Sequence, residues 1–354
     1  MAKRIATYQH IADILSFESS TEALEAALTA PNFDWDAIVV EGSKHLVLPA
    51  LYCRLKSKGL LHVLPDALSA YLEEITNINR NRNKAILEQV HWLSTLFKTH
   101  HINHVFLKGA AVLAMDLYED MAERMIGDID VLVDLEQLDT AYELLIKNNY
   151  SPIPQTLGHD FFEHKHLPRL KTEDFICAVE IHRKIFISHI DLELSNSNIL
   201  SKKELINKIA IPKQSHLLFH NILNHQLNDR GYYFNSFSFR SSYETIYILK
   251  TTSKEFELKI NKFLQSYFNL TGLFFKDEAL HLYATKNLST TFALLRLKYP
   301  TLNHLCFKVL KWVRFIHIII NRSILFVKNS AYRKAIMKDR KRISAHLLSF
   351  IKNS

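Results

Sequence analysis

The stretch FLKGAAVLAMDLYEDMAERMIGDIDVLV, residues 106–133, decides how the rest of the chain is read, and it holds two of only seven glycines in 354 residues. HVFL, residues 104–107, is short and rich in branched and aromatic residues, as strands are, and it runs into Gly109. AAVLAMDLY then carries apolar residues at helical spacing, and DIDVLV, residues 128–133, reads again as a strand. Asp128 and Asp130 lie two apart in that strand, so both side chains leave the same face. Two carboxylates so close, with nothing nearby in sequence to neutralise them, repel each other unless a cation sits between them. Taken alone, an Asp-x-Asp after a glycine is also an ordinary surface turn.

Two neighbours change that weighting. Upstream, a glycine at a strand-to-helix turn lets backbone N–H groups approach a phosphate, the helix start adds partial positive charge, and Lys108 adds a point charge. Downstream, AVEIH places Glu180 in the middle of an apolar strand, where an unpaired acid is costly to bury. Arg183 would serve as a structural partner for it. A metal site shared with Asp128 and Asp130 accounts for all three acids together. Oxygen ligands suit Mg²⁺, which takes a couple of carboxylates plus water and substrate phosphate. Two such ions about 3.5 to 4 Å apart are a standard arrangement for in-line phosphoryl or nucleotidyl displacement.

The residues before this stretch read as helices. STEALEAALTA offers capping residues before an apolar stripe, LVLPALYCRLKSKG stops at Gly59, and DALSAYLEEITNINRNRNKAILEQVHWLSTLFKTHH is one long helix or two joined near NINRNRN. After it, LEQLDTAYELLIKNN is helical, and FICAVEIH, residues 175–182, is a third strand candidate. Pro152, Pro154 and Pro168 between the second and third strands mark loops and edges. From about residue 200 onward the chain looks helical again. The expected class is α+β: a small mixed-sheet core at 101–195 between a helical region at 1–100 and a second at 196–307 packing on the core, then a basic helical tail at 308–354.

Composition sets the outer limits. Hydrophobic residues make up 48% of the chain, which fits a globular protein. Cys53, Cys177 and Cys306 are far apart and odd in number, which suggests reduced thiols, and polar residues interrupt the N-terminus where a secretion signal would be apolar; both point to the cytoplasm. The net charge is +8, yet residues 308–354 alone hold twelve Lys or Arg against one acid, Asp339, so the rest of the chain is mildly acidic. A polyanion would be met by that tail.

With these residues in view, the chain resembles a known superfamily. Gly109 after a hydrophobic strand, Asp128-Ile-Asp130, and Val179-Glu180-Ile181 follow the pattern of the DNA polymerase β-like nucleotidyltransferases. More closely, LKGAAVL, the later Arg124 and GDIDVLV, followed by VEIHRKIF, resemble the bacterial group described as uncharacterised nucleotidyltransferases, with motif similarity to the nucleotidyltransferase toxins of abortive-infection systems. The resemblance covers about 80 residues strongly, and the helical flanks loosely. It implies that Asp128 and Asp130 bind two Mg²⁺ ions, or Mn²⁺, with Glu180 sharing one and helping to deprotonate an acceptor hydroxyl. It further implies that Lys108, Gly109 and Ala110 hold a nucleoside triphosphate such as ATP, while Arg124 steadies the triphosphate or salt-bridges the acids. Ala110 departs from the pattern, since many members carry serine there and so add a hydroxyl contact to phosphate. The third acid is Glu where Asp is also found, and the gap from Gly109 to Asp128 is longer than in minimal members.

Weaker signals surround this core. HDFFEHKHLPRL offers His159, His164 and His166; the last two, with His182, which points the same way as Glu180, are read as the acceptor side. His216 and His220 lie four apart on a helix, but Leu217 replaces the glutamate of a zinc protease motif. VLKWVRFIHIIINRSILFV is interrupted by His317, Asn321 and Arg322, so a buried helix is expected and not a membrane span, with contact to an anionic membrane surface as the alternative. The reaction expected is transfer of a nucleoside monophosphate from an NTP to a hydroxyl, with release of pyrophosphate. The basic tail favours RNA or tRNA as acceptor over a protein side chain or a small molecule. The competing expectation is a non-catalytic nucleotide-binding or partner-binding module of a toxin–antitoxin or surface-polysaccharide locus.

Overall fold

A computed structural model describes residues 3–153, 161–186, 194–251, 259–281 and 283–345. The N-terminal helices are α1 (Lys3–Leu15), α2 (Thr21–Leu28), α3 (Trp35–Lys44), α4 (Leu48–Ser57) and α5 (Asp66–Thr99). Their ends follow local chemistry: the Ser20 and Asp34 side chains accept from the backbone N–H of Ala23 and Ala37, and Gly59 takes the left-handed φ of +72° just past α4.

The polar run NINRNRN does not break α5, which is a single helix of 34 residues. Asn79, Arg80 and Asn83 of this run face inward because they have backbone and carboxylate to bind, while Asn77 and Asn81 are exposed. Asn79 and Asn83 both donate to the carbonyl of Arg124, and Asn83 donates also to that of Met121. Arg80 makes a two-pronged contact with Asp120, at 3.0 Å from Nε and 2.7 Å from Nη2. Further along the helix, Gln89 donates to the carbonyl of Cys177 and accepts from its N–H. One helix therefore fixes the approach to both strands that carry the acids.

Those strands belong to a five-stranded mixed sheet. Its elements in chain order are β1 (His104–Phe106), α6 (Lys108–Ala114), β2 (Asp128–Val133), α7 (Leu138–Lys147), β3 (Ser151–Pro152), β4 (Leu170–Lys171) and β5 (Ala178–His182). The order across the sheet is β1-β2-β5-β4-β3, with β2 and β5 parallel and every other pair antiparallel. The architecture is thus α+β, a small sheet core flanked by helices.

After α8 (Asn196–Ser201), the chain forms a hairpin of β6 (Glu204–Ile206) and β7 (Ile209–Ile211), where only helices were expected. Each strand has three residues, too few to show an alternating pattern, and the turn at Asn207 and Lys208 uses left-handed φ values without glycine. Helices follow: α9 (Gln214–Leu223), which runs into a π-helical turn over Asn224–Asn228, then α10 (Gly231–Phe234), α11 (Phe239–Thr251), α12 (Lys262–Thr271), α13 (Glu278–His281) and α14 (Leu288–Lys298).

The chain divides into two compact units: Met1–Pro152 with Lys165–Lys298, and Ile153–His164 with Tyr299–Ser354. The second unit contains α15 (Pro300–Lys328) and α16 (Ser330–Lys338), and within it Phe161 and Phe162 pack edge-on against the buried ring of Tyr332. α15 runs unbroken across residue 308, where the charge balance changes, because composition can shift along a helix without ending it. No helix among the described residues is long and apolar enough to cross a membrane. Cys53, Cys177 and Cys306 are all free.

Candidate functional site

Parallel pairing of β2 with β5 sets Asp128 opposite Ala178, Asp130 opposite Glu180 and Leu132 opposite His182. Since side chains alternate along a strand, Asp128, Asp130, Glu180 and His182 leave one face of the sheet. Ile129, Val131, Val179 and Ile181 fill the buried opposite face. Pairing of Leu170 with Val179 brings Arg169 next to the same group.

Each acid meets a cation. Lys108 Nζ lies 2.5 Å and His182 Nε2 2.7 Å from the same Asp130 Oδ1. Arg169 spans the other two, 3.1 Å from Asp128 and 3.2 Å from Glu180. His166 Nε2 and His182 Nε2 both stand 3.6 Å from Glu180 Oε2.

These contacts set the protonation states. Burial opposes the charge on Asp130, but Lys108 and the hydrogen bond from His182 override it and hold that carboxyl well below the usual range. Burial likewise works against Glu180, and His182 with His166 brings it down on balance. His182 is almost fully buried, which would discharge it; Asp130 and Glu180 reverse this and raise it above 6.5. Asp128 goes the opposite way, raised by burial and then by the negative charges of Asp130 and Glu180.

Asp130, Glu180 and His182 bring one donor atom each within 4.8 Å of the others, the group among the described residues that could hold a metal ion. Two carboxylate oxygens suit Mg²⁺ or Mn²⁺, and the imidazole nitrogen adds a ligand that first-row transition ions favour. The donor set fits one divalent cation. His182 stands in this group where the sequence reading placed Asp128, whose carboxylate turns to Arg169. That exchange follows from the register, because Asp130 faces Glu180 directly while Asp128 faces Ala178.

The other expected residues are placed as follows. Lys108 adopts a left-handed φ of +48°, uncommon for a side chain of this kind, while reaching Asp130. Gly109 is buried, and a Cβ there would come within 2.8 Å of Ile126, so close packing accounts for this glycine. Ala110 is fully buried beside it. Arg124 does not pair with the Asp128 and Asp130 carboxylates. It is buried with its Nε 2.6 Å from Glu244 of α11, a partner 120 residues away that satisfies the guanidinium's need for a counter-charge. Arg183 is not the partner of Glu180, which Arg169, His166 and His182 surround instead.

Of the histidines, His166 and His182 meet at the acids, with ring centroids 5.4 Å apart. His164 falls in the second unit, and His159 lies outside the described residues. Arg169 was missed in the sequence. It sits in the HLPRL segment read only for its histidines, and Leu170 beside it, wholly buried in a polar stretch, was the available signal.

Residues 31–231 match the model of a family described as uncharacterised nucleotidyltransferase, more than half of the chain and a span that contains Lys108, Asp128, Asp130, His166, Arg169, Glu180 and His182. Among curated proteins none matches this sequence.

Proposed function

We propose that this chain, which belongs to the uncharacterised nucleotidyltransferase family, transfers a nucleoside monophosphate from an NTP to a hydroxyl acceptor and releases pyrophosphate. The observation that carries the reading is the pairing of Asp130 with Glu180 across two parallel strands, with His182 and Lys108 converging on the same carboxylate. A divalent cation held by Asp130, Glu180 and His182 would supply Lewis acidity to the phosphate and acidify the attacking hydroxyl. Lys108 is positioned to meet phosphate charge when that cation takes over Asp130. Arg169 ties Asp128 to Glu180 and keeps both carboxylates facing the same space. In a two-ion version Asp128 would exchange Arg169 for the second metal. His166 borders the acids on the side where an acceptor hydroxyl would enter. RNA is the acceptor we favour, because residues 308–354 carry twelve Lys or Arg and one acid.

The test is direct. Full-length protein is incubated with each α-labelled NTP, with Mg²⁺ or Mn²⁺, and with total cell extract, and the label is followed into RNA, protein or small products. Transfer is expected from at least one NTP and lost in the Asp128→Asn, Asp130→Asn double variant; transfer surviving in that variant overturns the mechanism.

A second reading has its own observation. Asp128, Asp130 and Glu180 are already neutralised by Arg169, Lys108 and His182, as they would be in a module that binds nucleotide or a partner without turning it over. Failure of all four NTPs with every acceptor pool selects it.

A further inference from the structure

Beside the acid face lies a cavity walled by Lys108 and Arg124 on one side and by α9, the π-helical turn and α11 on the other. Three cations line it, Lys108, Arg124 and Arg240, against two acids, Glu244 and Asp229. Two of the cations already have partners: Lys108 pairs with Asp130 and Arg124 with Glu244. Arg240 is different. It is half-buried on α11, and it has no hydrogen bond or ion pair to any described residue. The charge of Arg124 beside it, with burial second, lowers the Arg240 guanidinium, and the opposing charges of Glu244 and Asp229 only partly offset that repulsion without forming an ion pair to it.

His220 on α9 lines the same cavity and has no hydrogen-bond partner among the described residues; burial keeps it neutral, pushed down to about 3. An open guanidinium, an uncommitted imidazole and a lysine shared with the acid cluster form one continuous wall. Lys108 is the hinge of this geometry, because it touches Asp130 and lines the cavity at once.

We infer that this cavity receives the polyphosphate tail of a nucleoside triphosphate and that Arg240 is the side chain that binds it. The inference rests on the transfer reading above, because a nucleotide whose α-phosphate lies at the acids extends its remaining phosphates past Lys108. A planar guanidinium with no internal partner suits phosphate oxygens, which accept two parallel N–H donors at once. Arg240 lies beyond residues 31–231, so this part of the site is contributed by sequence outside the family match.

The probe is inorganic triphosphate, titrated calorimetrically into the full-length protein without metal. The wild type is expected to bind it. Arg240→Gln should weaken binding at least about tenfold, the loss of one charge-assisted pair, and Arg240→Lys should weaken it less. The melting temperature should be unchanged in both, because Arg240 holds no ion pair in the fold. Asp130→Asn should bind triphosphate as tightly or more tightly, because it releases Lys108.

Wild-type affinity in Arg240→Gln, or absence of triphosphate binding in the wild type, overturns the inference. The two readings fail separately. Triphosphate binding that depends on Arg240, without α-label transfer in any assay, leaves this inference standing and removes the transfer reading. Transfer with an unchanged KM for NTP in Arg240→Gln does the reverse.

Discussion

The sheet face in the first unit and helix α15 in the second invert the usual placement of residues. On the sheet, Asp130 and His182 are almost wholly buried, at 2% and 1% exposure, and each has a charged partner. On α15, none of the 29 residues is buried, and Leu305, Val309, Val313, Ile316, Ile320, Ile324 and Val327 are exposed, Val327 at 73%. Their spacing of four, four and three repeats, which follows an α-helix in a nearly straight stripe. Charge in the interior is stable only when it is paired, so each partner on the sheet face can be named. Apolar surface in water carries no such requirement for a specific neighbour within the chain. Stability should therefore depend on single residues in the first region and very little on single residues in the second.

The largest effect expected is at Asp130. Removing it as Asp130→Ala leaves Lys108 and His182 without their shared anion, at a cost of about 3–5 kcal/mol, measured by chemical denaturation. A loss below about 1 kcal/mol would break the comparison at its strongest point.

Next comes Glu123, in the loop held by α5. Burial pushes it up to about 7, against hydrogen bonds from Tyr243 and from the Asp120 backbone. The folded protein binds this proton more tightly than the unfolded chain, whose glutamate titrates near 4.5. Its contribution is therefore complete below pH 4.5 and is lost as pH rises to about 7, roughly 3 kcal/mol in all. Unfolding curves across that range should show the decline, and Glu123→Gln should flatten it.

Asn83→Ala removes two donors to the carbonyls of Met121 and Arg124. A loss of about 1–3 kcal/mol is expected, and proteolysis should reach the loop before β2 earlier than in the wild type. Ile320→Ser on α15 should change stability by no more than about 0.5 kcal/mol. A loss several times larger would mean that the stripe is covered in solution, and sedimentation would then tell whether a second copy covers it.

Particular residues show how much was legible beforehand. The strands around Val105, Ile129 and Val179 were readable because branched residues cluster there, and the acids of β2 because two carboxylates at alternate positions must share a face. The N-cap Ser20 was readable, since capping is a contact within one turn. The continuity of α5 was not, because Asn79 and Asn83 look helix-weakening until the carbonyls of the Met121–Glu123 turn and Arg124 are found against them. Gly109 looked like a phosphate-binding residue, and its neighbour is Ile126, which no local pattern reveals. The β6–β7 hairpin escaped because three-residue strands carry no period.

What the sequence by itself determined is the set of chemical groups and their local directions: Asp128 and Asp130 on one face of a strand, Glu180 within another, a lysine at the start of a short helix, and a basic C-terminal region. Those follow from bonds and dihedral angles within a few residues. Only the tertiary structure decided which groups meet. The register of two parallel strands put Glu180 and not Ala178 opposite Asp130, brought His182 into the donor set and left Asp128 to Arg169. The packing of α11 gave Arg124 its acid and left Arg240 without a direct ion pair. Both outcomes depend on the summed burial of apolar faces far from the site, because a sheet and its helices settle where their cores fill, and the charged residues must find partners in whatever arrangement results.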